Sequence, residues 1–179
     1  VSFDDSTVKS MRGVKKVVRV NASTVAVVAD TWWRAKNALD KLPIVWDEGP
    51  NAKVSSATIA DMLKAGLDAD QAFVANQNGD VKAAIAGAAK TVEAVYSYPF
   101  QNHVCMEPMN ATARYTPDKC EVWVPTQNGD AALAACAEAA GHPPAKCEVN
   151  KVHLGGGFGR CGFQDYITKA VLLAKQIPG

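Results

Sequence analysis

The sequence lacks any long hydrophobic run, and no apolar segment approaches the roughly 20 residues that a membrane-spanning helix needs. It also lacks an excess of one charge, because 19 basic and 18 acidic residues leave a formal net charge of +1. The Lys and Arg residues are scattered along the chain and form no basic stripe of the kind that binds nucleic acid. We therefore expect neither a membrane span nor a nucleic-acid partner for these 179 residues.

No CxxC pair is present either, which argues against a local zinc or iron–sulfur site. The odd number of cysteines, five, argues against a complete disulfide framework, and we expect buried free thiols. The sequence begins with Val1 and not with Met, so we expect a processed chain or a piece of a longer protein. The lack of a signal peptide then says little about the cellular compartment.

The first half of the chain shows alternating and helical patterns in turn. Residues 14–20 and 24–29 predict two strands, and 44–46 a third short one. Asp30 is a candidate cap for a helix over 31–41, with an inner face formed by Trp32, Ala35 and Leu39. Ser55 or Ser56 predicts the start of another helix, whose apolar residues recur at helical spacing: Ile59, Met62, Leu63 and Leu67.

A polar stretch over 68–80 favours a boundary, after which a short helix is predicted over 81–86. Strands are predicted over 91–98, 120–124 and 147–154. The last two enclose an Ala-rich helix over 130–140, which Gly141 and the Pro143–Pro144 pair end. A final helix ends at Pro178, with one face formed by Phe163, Tyr166, Ile167, Ala170, Val171, Ala174 and Ile177.

The most informative segment is VHLGGGFGR, residues 152–160, in which a strand runs into a glycine-rich stretch and then a helix. Glycines let the backbone approach a ligand closely, and successive backbone N–H groups at the start of a helix suit an anion. A nucleoside triphosphate loop would need GxxxxGK followed by Ser or Thr, which is absent. A dinucleotide loop would need GxGxxG, which is met only in part. A tight turn without a ligand also remains open.

Three segments together resemble the xanthine dehydrogenase / aldehyde oxidase family of molybdenum hydroxylases. They are GGGFGR at 155–160, QNHVCMEP at 101–108 and VWVPTQN at 122–128, in the order that the family has them. MEPMNATA at 106–113 and VWDEGP at 45–50 resemble most the isoquinoline 1-oxidoreductase beta-subunit type. The resemblance covers nearly the whole chain.

The resemblance implies an α+β fold made of parts of two domains. Residues 1–78 would form part of an α/β-hammerhead domain with a linker, and residues 79–179 the first part of the molybdenum-cofactor-binding domain. The family's large subunit is several times longer. The glutamate that serves the family as catalytic base would lie beyond this chain, so we assign no catalytic residue and expect the chain alone to be inactive.

The resemblance also implies residue roles. The metal would be held by the dithiolene sulfurs of a pterin, so no direct protein ligand is expected. Gln101 would donate its side-chain amide to an oxygen ligand of the molybdenum, and Phe158 and Gly159 would offer backbone N–H groups. Arg160 would pair with a cofactor phosphate, and two glycines would leave room for the pterin: Gly156 and Gly157.

By the same resemblance, the segment QNHVCMEP at 101–108 would be the earlier of two cofactor loops, the first loop. Two of its residues, His103 and Glu107, are interpreted as structuring that loop. Purine-oxidising members carry a glutamate four residues after the loop phenylalanine. Gly162 stands at that place in this sequence, which argues against a purine substrate.

The implied reaction is hydroxylation of an N-heterocycle or oxidation of an aldehyde, with water as the oxygen source. The implied cofactor is molybdopterin cytosine dinucleotide with molybdenum, and the implied partner is a small iron–sulfur subunit carrying 2Fe–2S clusters. The compartment would be the bacterial cytoplasm or periplasm. Two alternatives stay open at the level of sequence: a catalytically silent binding module, and a nucleotide-binding domain that uses the glycine loop.

Overall fold

The computed structural model describes residues 2–71 and 73–177, so the predicted helix end at Pro178 lies outside the described residues. The chain divides into two compact units. Unit 1 contains the described residues of 1–47 and 103–179, and unit 2 contains the described residues of 48–102. The boundary predicted between residues 78 and 79 concerns the domains of the whole family architecture and stays a prediction.

The first part of unit 1 is a hairpin followed by a helix. Strand β1 (Ser2–Phe3) precedes the antiparallel pair β2 (Val14–Asn21) and β3 (Thr24–Ala29). Helix α1 (Trp32–Leu39) comes next, and β4 (Ile44–Val45) then pairs with β1. Alternation in β2 buries Val18 and Val20 on one face while its Lys and Arg side chains stay in contact with solvent, so the predicted strands are confirmed.

Two details predicted for α1 are wrong. The cap is Thr31, whose side chain accepts the N–H of Arg34, while Asp30 pairs with the Arg34 side chain. The buried position is Ala38, whereas Trp32 is 71% exposed and Leu39 39% exposed. The small residue Ala38 therefore packs against the hairpin, while Trp32 and Leu39 of the predicted inner face lie at the surface.

The second part of unit 1 is a three-stranded sheet with a parallel crossover. Strand β5 (Thr112–Tyr115) pairs antiparallel with β6 (Cys120–Val124), and β6 pairs parallel with β7 (Cys147–Lys151). Helix α4 (Gly129–Ala140) makes the crossover from β6 to β7, because parallel neighbours need such a connection. The predicted strand–helix–strand alternation is confirmed, whereas β5 was not predicted.

Two helices of unit 1 cover this sheet: α4 (Gly129–Ala140) and α5 (Asp165–Gln176). Asn128 caps α4 by accepting the N–H of Ala131, and Gly141, at φ 73°, ends it in the left-handed conformation, as predicted. The shared core contains the buried side chains Cys120, Val122, Val124, Ala132, Cys136, Tyr166, Ile167 and Val171. This core fixes the end of β6, the end of β7 and the start of α5 relative to one another.

Unit 2 contains α2 (Ser56–Gly66) and α3 (Val81–Ala86), both at their predicted places. Ser55 caps α2 in a reciprocal pair of hydrogen bonds with Thr58. The strand predicted over 91–98 is wrong, because these residues form no regular secondary structure. None of the helices among the described residues is both long and apolar enough to cross a membrane.

Candidate functional site

The glycine loop, residues 155–160, follows β7 in unit 1. The predicted strand ends at Lys151, three residues early, and a 3-10 turn over Arg160–Gly162 then leads towards α5. Gly156 has φ 108°, Phe158 φ 50° and Gly159 φ 94°. A left-handed phenylalanine costs on the order of 1–3 kcal/mol and persists only where its surroundings hold it. The loop is therefore a strained turn between strand and helix, and contacts with neighbouring residues hold it.

Glu107 holds the start of the loop. The N–H of Gly155 donates to Glu107 Oε2 at 2.8 Å, and the N–H of Glu107 donates to the Gly155 carbonyl at 3.1 Å. Asn110 Nδ2 donates to the other carboxylate oxygen at 3.1 Å. These two donors, Gly155 first, lower the pKa of Glu107, which keeps the carboxylate ionised as an acceptor. The predicted structuring role of Glu107 is confirmed.

Gln127 holds the end of the loop. It lies between β6 and α4, and its Oε1 accepts the N–H of Gly159 at 3.0 Å. A Cβ on Gly157 would lie 2.6 Å from both Cδ and Oε1 of Gln127, so the glycine makes room for this side chain. Gln127 was not predicted as a site residue. The VPTQN segment carried the signal, but nothing in the sequence indicates that its glutamine contacts a loop about 30 residues later.

Arg160 forms a forked ion pair with Asp165 at the start of α5. Its Nη1 donates to Oδ1 at 2.8 Å and its Nη2 to Oδ2 at 3.2 Å. Lys169 Nζ donates to Oδ2 at 2.8 Å as well. Arg160 foremost, against the opposing effect of burial, lowers the pKa of Asp165 to about 2. The guanidinium that was predicted to meet a phosphate therefore already has a carboxylate partner, and the phosphate contact stays a prediction.

Two thiols line the inner side of the loop. Cys105 Sγ donates to the Gly157 carbonyl at 3.4 Å, and Cys161 Sγ lies 3.8 Å from the Gly156 carbonyl. Burial raises the pKa of the Cys161 thiol, which therefore remains a donor. All five cysteines are free thiols, and three of them are buried: Cys120, Cys136 and Cys161.

The N–H groups of the loop fall into two sets. Those of Gly155, Gly159 and Arg160 are engaged, the last by the Gly157 carbonyl at 2.8 Å. Those of the residues between them, 156–158, make no hydrogen bond to any residue that the structure describes. Of the two amides predicted to meet an oxygen ligand, Phe158 is thus available, while Gly159 is bonded to Gln127.

Five of the six predicted cofactor-binding residues belong to one unit of the chain, and the sixth belongs to the other. Residues 156–160 lie on one loop of unit 1, whereas Gln101 is an exposed residue of unit 2. Its approach to the loop stays a prediction. Within the described residues, no group of three or more His, Cys, Asp or Glu side chains could hold a metal ion.

Of the remaining histidines, His142 has a structural role. Its ring stacks on Tyr115 with centroids 5.2 Å apart, and its Nε2 lies 3.0 Å from the Thr116 carbonyl. His153 is exposed. Neither lies on the glycine loop.

A family model described as molybdopterin cofactor-binding domain matches residues 67–177. This stretch contains the first loop, the VPTQN segment and the glycine loop. The matched stretch is more than half of the chain, and it contains every residue of the loop contacts described above.

Curated relatives are similar over most of the chain. One of the subunits of nicotinate dehydrogenase from Pseudomonas putida is 26% identical over 177 residues, which are 99% of this chain and 15% of the relative. A membrane-bound aldehyde dehydrogenase of Gluconacetobacter polyoxogenes, named as a pyrroloquinoline-quinone enzyme, is 26% identical over 186 residues, 99% of this chain and 24% of the relative.

A third relative, the aldehyde oxidoreductase molybdenum-binding subunit PaoC of Escherichia coli O157:H7, is 24% identical over 159 residues. They cover 89% of this chain and 21% of the relative. The chain thus spans less than a quarter of the length of each of the three relatives.

Proposed function

Since the chain belongs to the family of molybdopterin cofactor-binding domains, we propose that it forms part of the cofactor cleft of a molybdenum hydroxylase. The proposed enzyme hydroxylates N-heterocycles or oxidises aldehydes with water as the oxygen source. One observation carries the proposal: the family match contains both predicted cofactor loops, and Glu107 joins them through two hydrogen bonds to Gly155. The named relatives act on nicotinate and on aldehydes, according to their names.

The loop fits an oxygen-rich or phosphate-bearing group. Three successive N–H groups, those of residues 156–158, have no partner among the described residues. Successive N–H groups form a concavity suited to anions where right-handed and left-handed backbone conformations follow one another in a turn. Gly156, at φ 108°, admits this backbone without a Cβ. When bound, the cofactor supplies the redox chemistry and the oxygen-transferring metal.

Within this proposal the residues of the chain bind and orient the cofactor. The Phe158 N–H would donate to an oxygen atom of the cofactor, and Gln101 would donate its side-chain amide to an oxygen ligand of the molybdenum. Gly156 and Gly157, which lack side chains, let the backbone lie against the pterin. The missing side chain of Gly157 also makes room for Gln127. The Gly159 N–H serves the cofactor only if Gln127 releases it, and Arg160 binds a phosphate while still paired with Asp165.

The finer features follow the same proposal. The cofactor is the cytosine dinucleotide form of molybdopterin, and electrons leave to a small iron–sulfur subunit with 2Fe–2S clusters. Residues 1–78 form part of an α/β-hammerhead domain. No catalytic base is assigned within these residues, and the 179-residue chain alone is expected to turn over neither aldehydes nor N-heterocycles.

Cofactor analysis of the full-length gene product tests this function. The protein is purified from a host that makes molybdenum cofactors, and its molybdenum, pterin, cytosine nucleotide and pyrroloquinoline quinone are measured. We expect molybdenum with pterin and cytosine nucleotide in equal amounts. Pyrroloquinoline quinone without molybdenum, or neither group, contradicts the proposal, and the second result favours a silent binding module.

A further inference from the structure

The backbone of Gln127 is held in place independently of its side chain. Its N–H donates to the Cys161 carbonyl at 3.1 Å. The neighbouring Thr126 is 1% exposed, and its hydroxyl lies 3.3 Å from the same carbonyl and accepts the N–H of Asn128 at 3.1 Å. The turn between β6 and α4 is thereby tied to the residue that follows the glycine loop, which sets the point from which the Gln127 side chain starts.

The side chain then crosses the loop. Its carbonyl oxygen accepts the Gly159 N–H at 3.0 Å, and its Cδ occupies the space next to Gly157 in which a Cβ would have to fit. The side chain of Leu154 also lies close, with its Cδ2 2.9 Å from the same position. Gln127 is thus the side chain that both fills the gap at Gly157 and bonds the residue two places later.

The residue between those two contacts is the strained one. Phe158 has φ 50°, a left-handed conformation that costs a residue with a Cβ energy, so its neighbours must compensate this cost, whereas Gly159 at φ 94° has no Cβ and adopts its conformation freely. The Phe158 side chain is 74% exposed, so its packing against the protein gives little of this compensation. Among the described residues, two side chains bond the backbone of this turn: Gln127 accepts the Gly159 N–H at 3.0 Å, and Cys105 Sγ donates to the Gly157 carbonyl at 3.4 Å.

We propose that Gln127 is a positioning residue for the proposed cofactor site. Its side-chain oxygen holds the turn over residues 157–159 in the conformation that leaves the Phe158 N–H free for an oxygen atom of the cofactor. Gln127 itself does not touch the reacting atoms. The inference rests on the proposed function only for the identity of the ligand, because Gln127 bonds Gly159 in the chain itself, without any ligand.

Two substitutions separate the acceptor atom from the bulk of the side chain. Gln127→Leu keeps most of the volume and removes the acceptor, whereas Gln127→Glu keeps an acceptor at the same reach. Amide hydrogen exchange at Gly159 is measured in the cofactor-free protein. We expect exchange about fivefold faster in Gln127→Leu, the factor that corresponds to one net hydrogen bond, and protection close to wild type in Gln127→Glu. Gln176→Leu, an exposed site in the last turn of α5, is the matched control.

Cofactor retention is measured in the full-length gene product with the same variants. Gln127→Leu is expected to retain less molybdenum than wild type and Gln176→Leu while it remains folded, as shown by a cooperative thermal transition. Unchanged Gly159 exchange in Gln127→Leu, or faster exchange with full retention, overturns the inference. A wild-type protein that binds no molybdenum contradicts the proposed function instead, while the exchange result still decides whether Gln127 holds the turn.

Discussion

At the scale of single residues, the glycine loop depends on space as much as on hydrogen bonds. A Cβ on Gly155 would lie 2.5 Å from the Cβ of Glu107, which is not the free end of a flexible side chain. Backbone would have to move, and both hydrogen bonds between the two residues would lengthen. We expect Gly155→Ala to lower the free energy of unfolding by about 1–3 kcal/mol, as overpacking does.

Gly162→Ala is the control for that change, because nothing lies within 4 Å of the added carbon. Both free energies are measured by urea unfolding of the purified chain. Equal stability of the two variants would show that the contact between Glu107 and Gly155 does not restrict the loop.

A second expectation at this scale concerns pH. The pKa of Asp165 is about 2 in the folded chain against an ordinary value of 3.8, chiefly because Arg160 donates to the carboxylate. A carboxylate with a lowered folded pKa stabilises the fold above its unfolded pKa and loses this contribution as the pH falls through the folded pKa. The Asp165 side chain is 42% exposed, so solvent screening limits the contribution to about 1 kcal/mol or less.

Asp165→Asn is therefore expected to be less stable than wild type at neutral pH and to approach it as the pH falls from 3.8 towards 2. Urea unfolding across that range measures the difference. The same substitution at the exposed Asp118 serves as the control. A difference between wild type and Asp165→Asn that is independent of pH would contradict the role given to the ion pair.

At the scale of elements, Tyr166 links α5 to the end of β6. The tyrosine is 7% exposed, and its hydroxyl donates to the buried Pro125 carbonyl at 2.7 Å. Tyr166→Phe leaves that carbonyl without this donor, at a cost of about 1–3 kcal/mol. Thermal unfolding of Tyr166→Phe and Tyr115→Phe tests this. The Tyr115 hydroxyl makes no hydrogen bond within the described residues, so a larger loss for Tyr115→Phe would speak against the link.

Helix α4 and the strand predicted over 91–98 show which kinds of element the sequence can predict. Helix α4 could be predicted closely because capping and stopping are local: Asn128 precedes it and Gly141 ends it. The strand over 91–98 was wrong for a non-local reason. Alternation of Val and Tyr specifies a face but not a partner strand, and in this chain Val92 and Tyr96 are 85% and 81% exposed.

Strand β5 was missed although its residues alternate between polar and apolar. The run is only four residues long and contains one large apolar side chain, Tyr115, so the pattern is weak, and pairing with β6 makes these residues a strand. The residues of the candidate site also differ in how well the sequence predicts them. The glycine loop could be predicted from its sequence, whereas Gln127 could not, because a contact across about 30 residues depends on how β6 and β7 pair.

At the scale of the whole molecule, the predicted family is confirmed by the match over residues 67–177. The α+β class is confirmed as well, since helices and a mixed sheet share one core. The hammerhead assignment, the domain boundary and the approach of Gln101 stay predictions. They concern arrangements that involve more than one unit of this chain, and the sequence pattern of one unit cannot fix them.

The most direct test of the central claim is the molybdenum content of the full-length gene product carrying Gly157→Val, measured by mass spectrometry of the purified protein. The added branched group collides with the side chains of Gln127 and Leu154, so the turn whose N–H groups are proposed to hold the cofactor has to move. We predict a folded protein without molybdenum, while Gly129→Val, at a glycine with open space around it, retains the wild-type amount. Wild-type molybdenum content in folded Gly157→Val would contradict the claim that the glycine loop holds the cofactor.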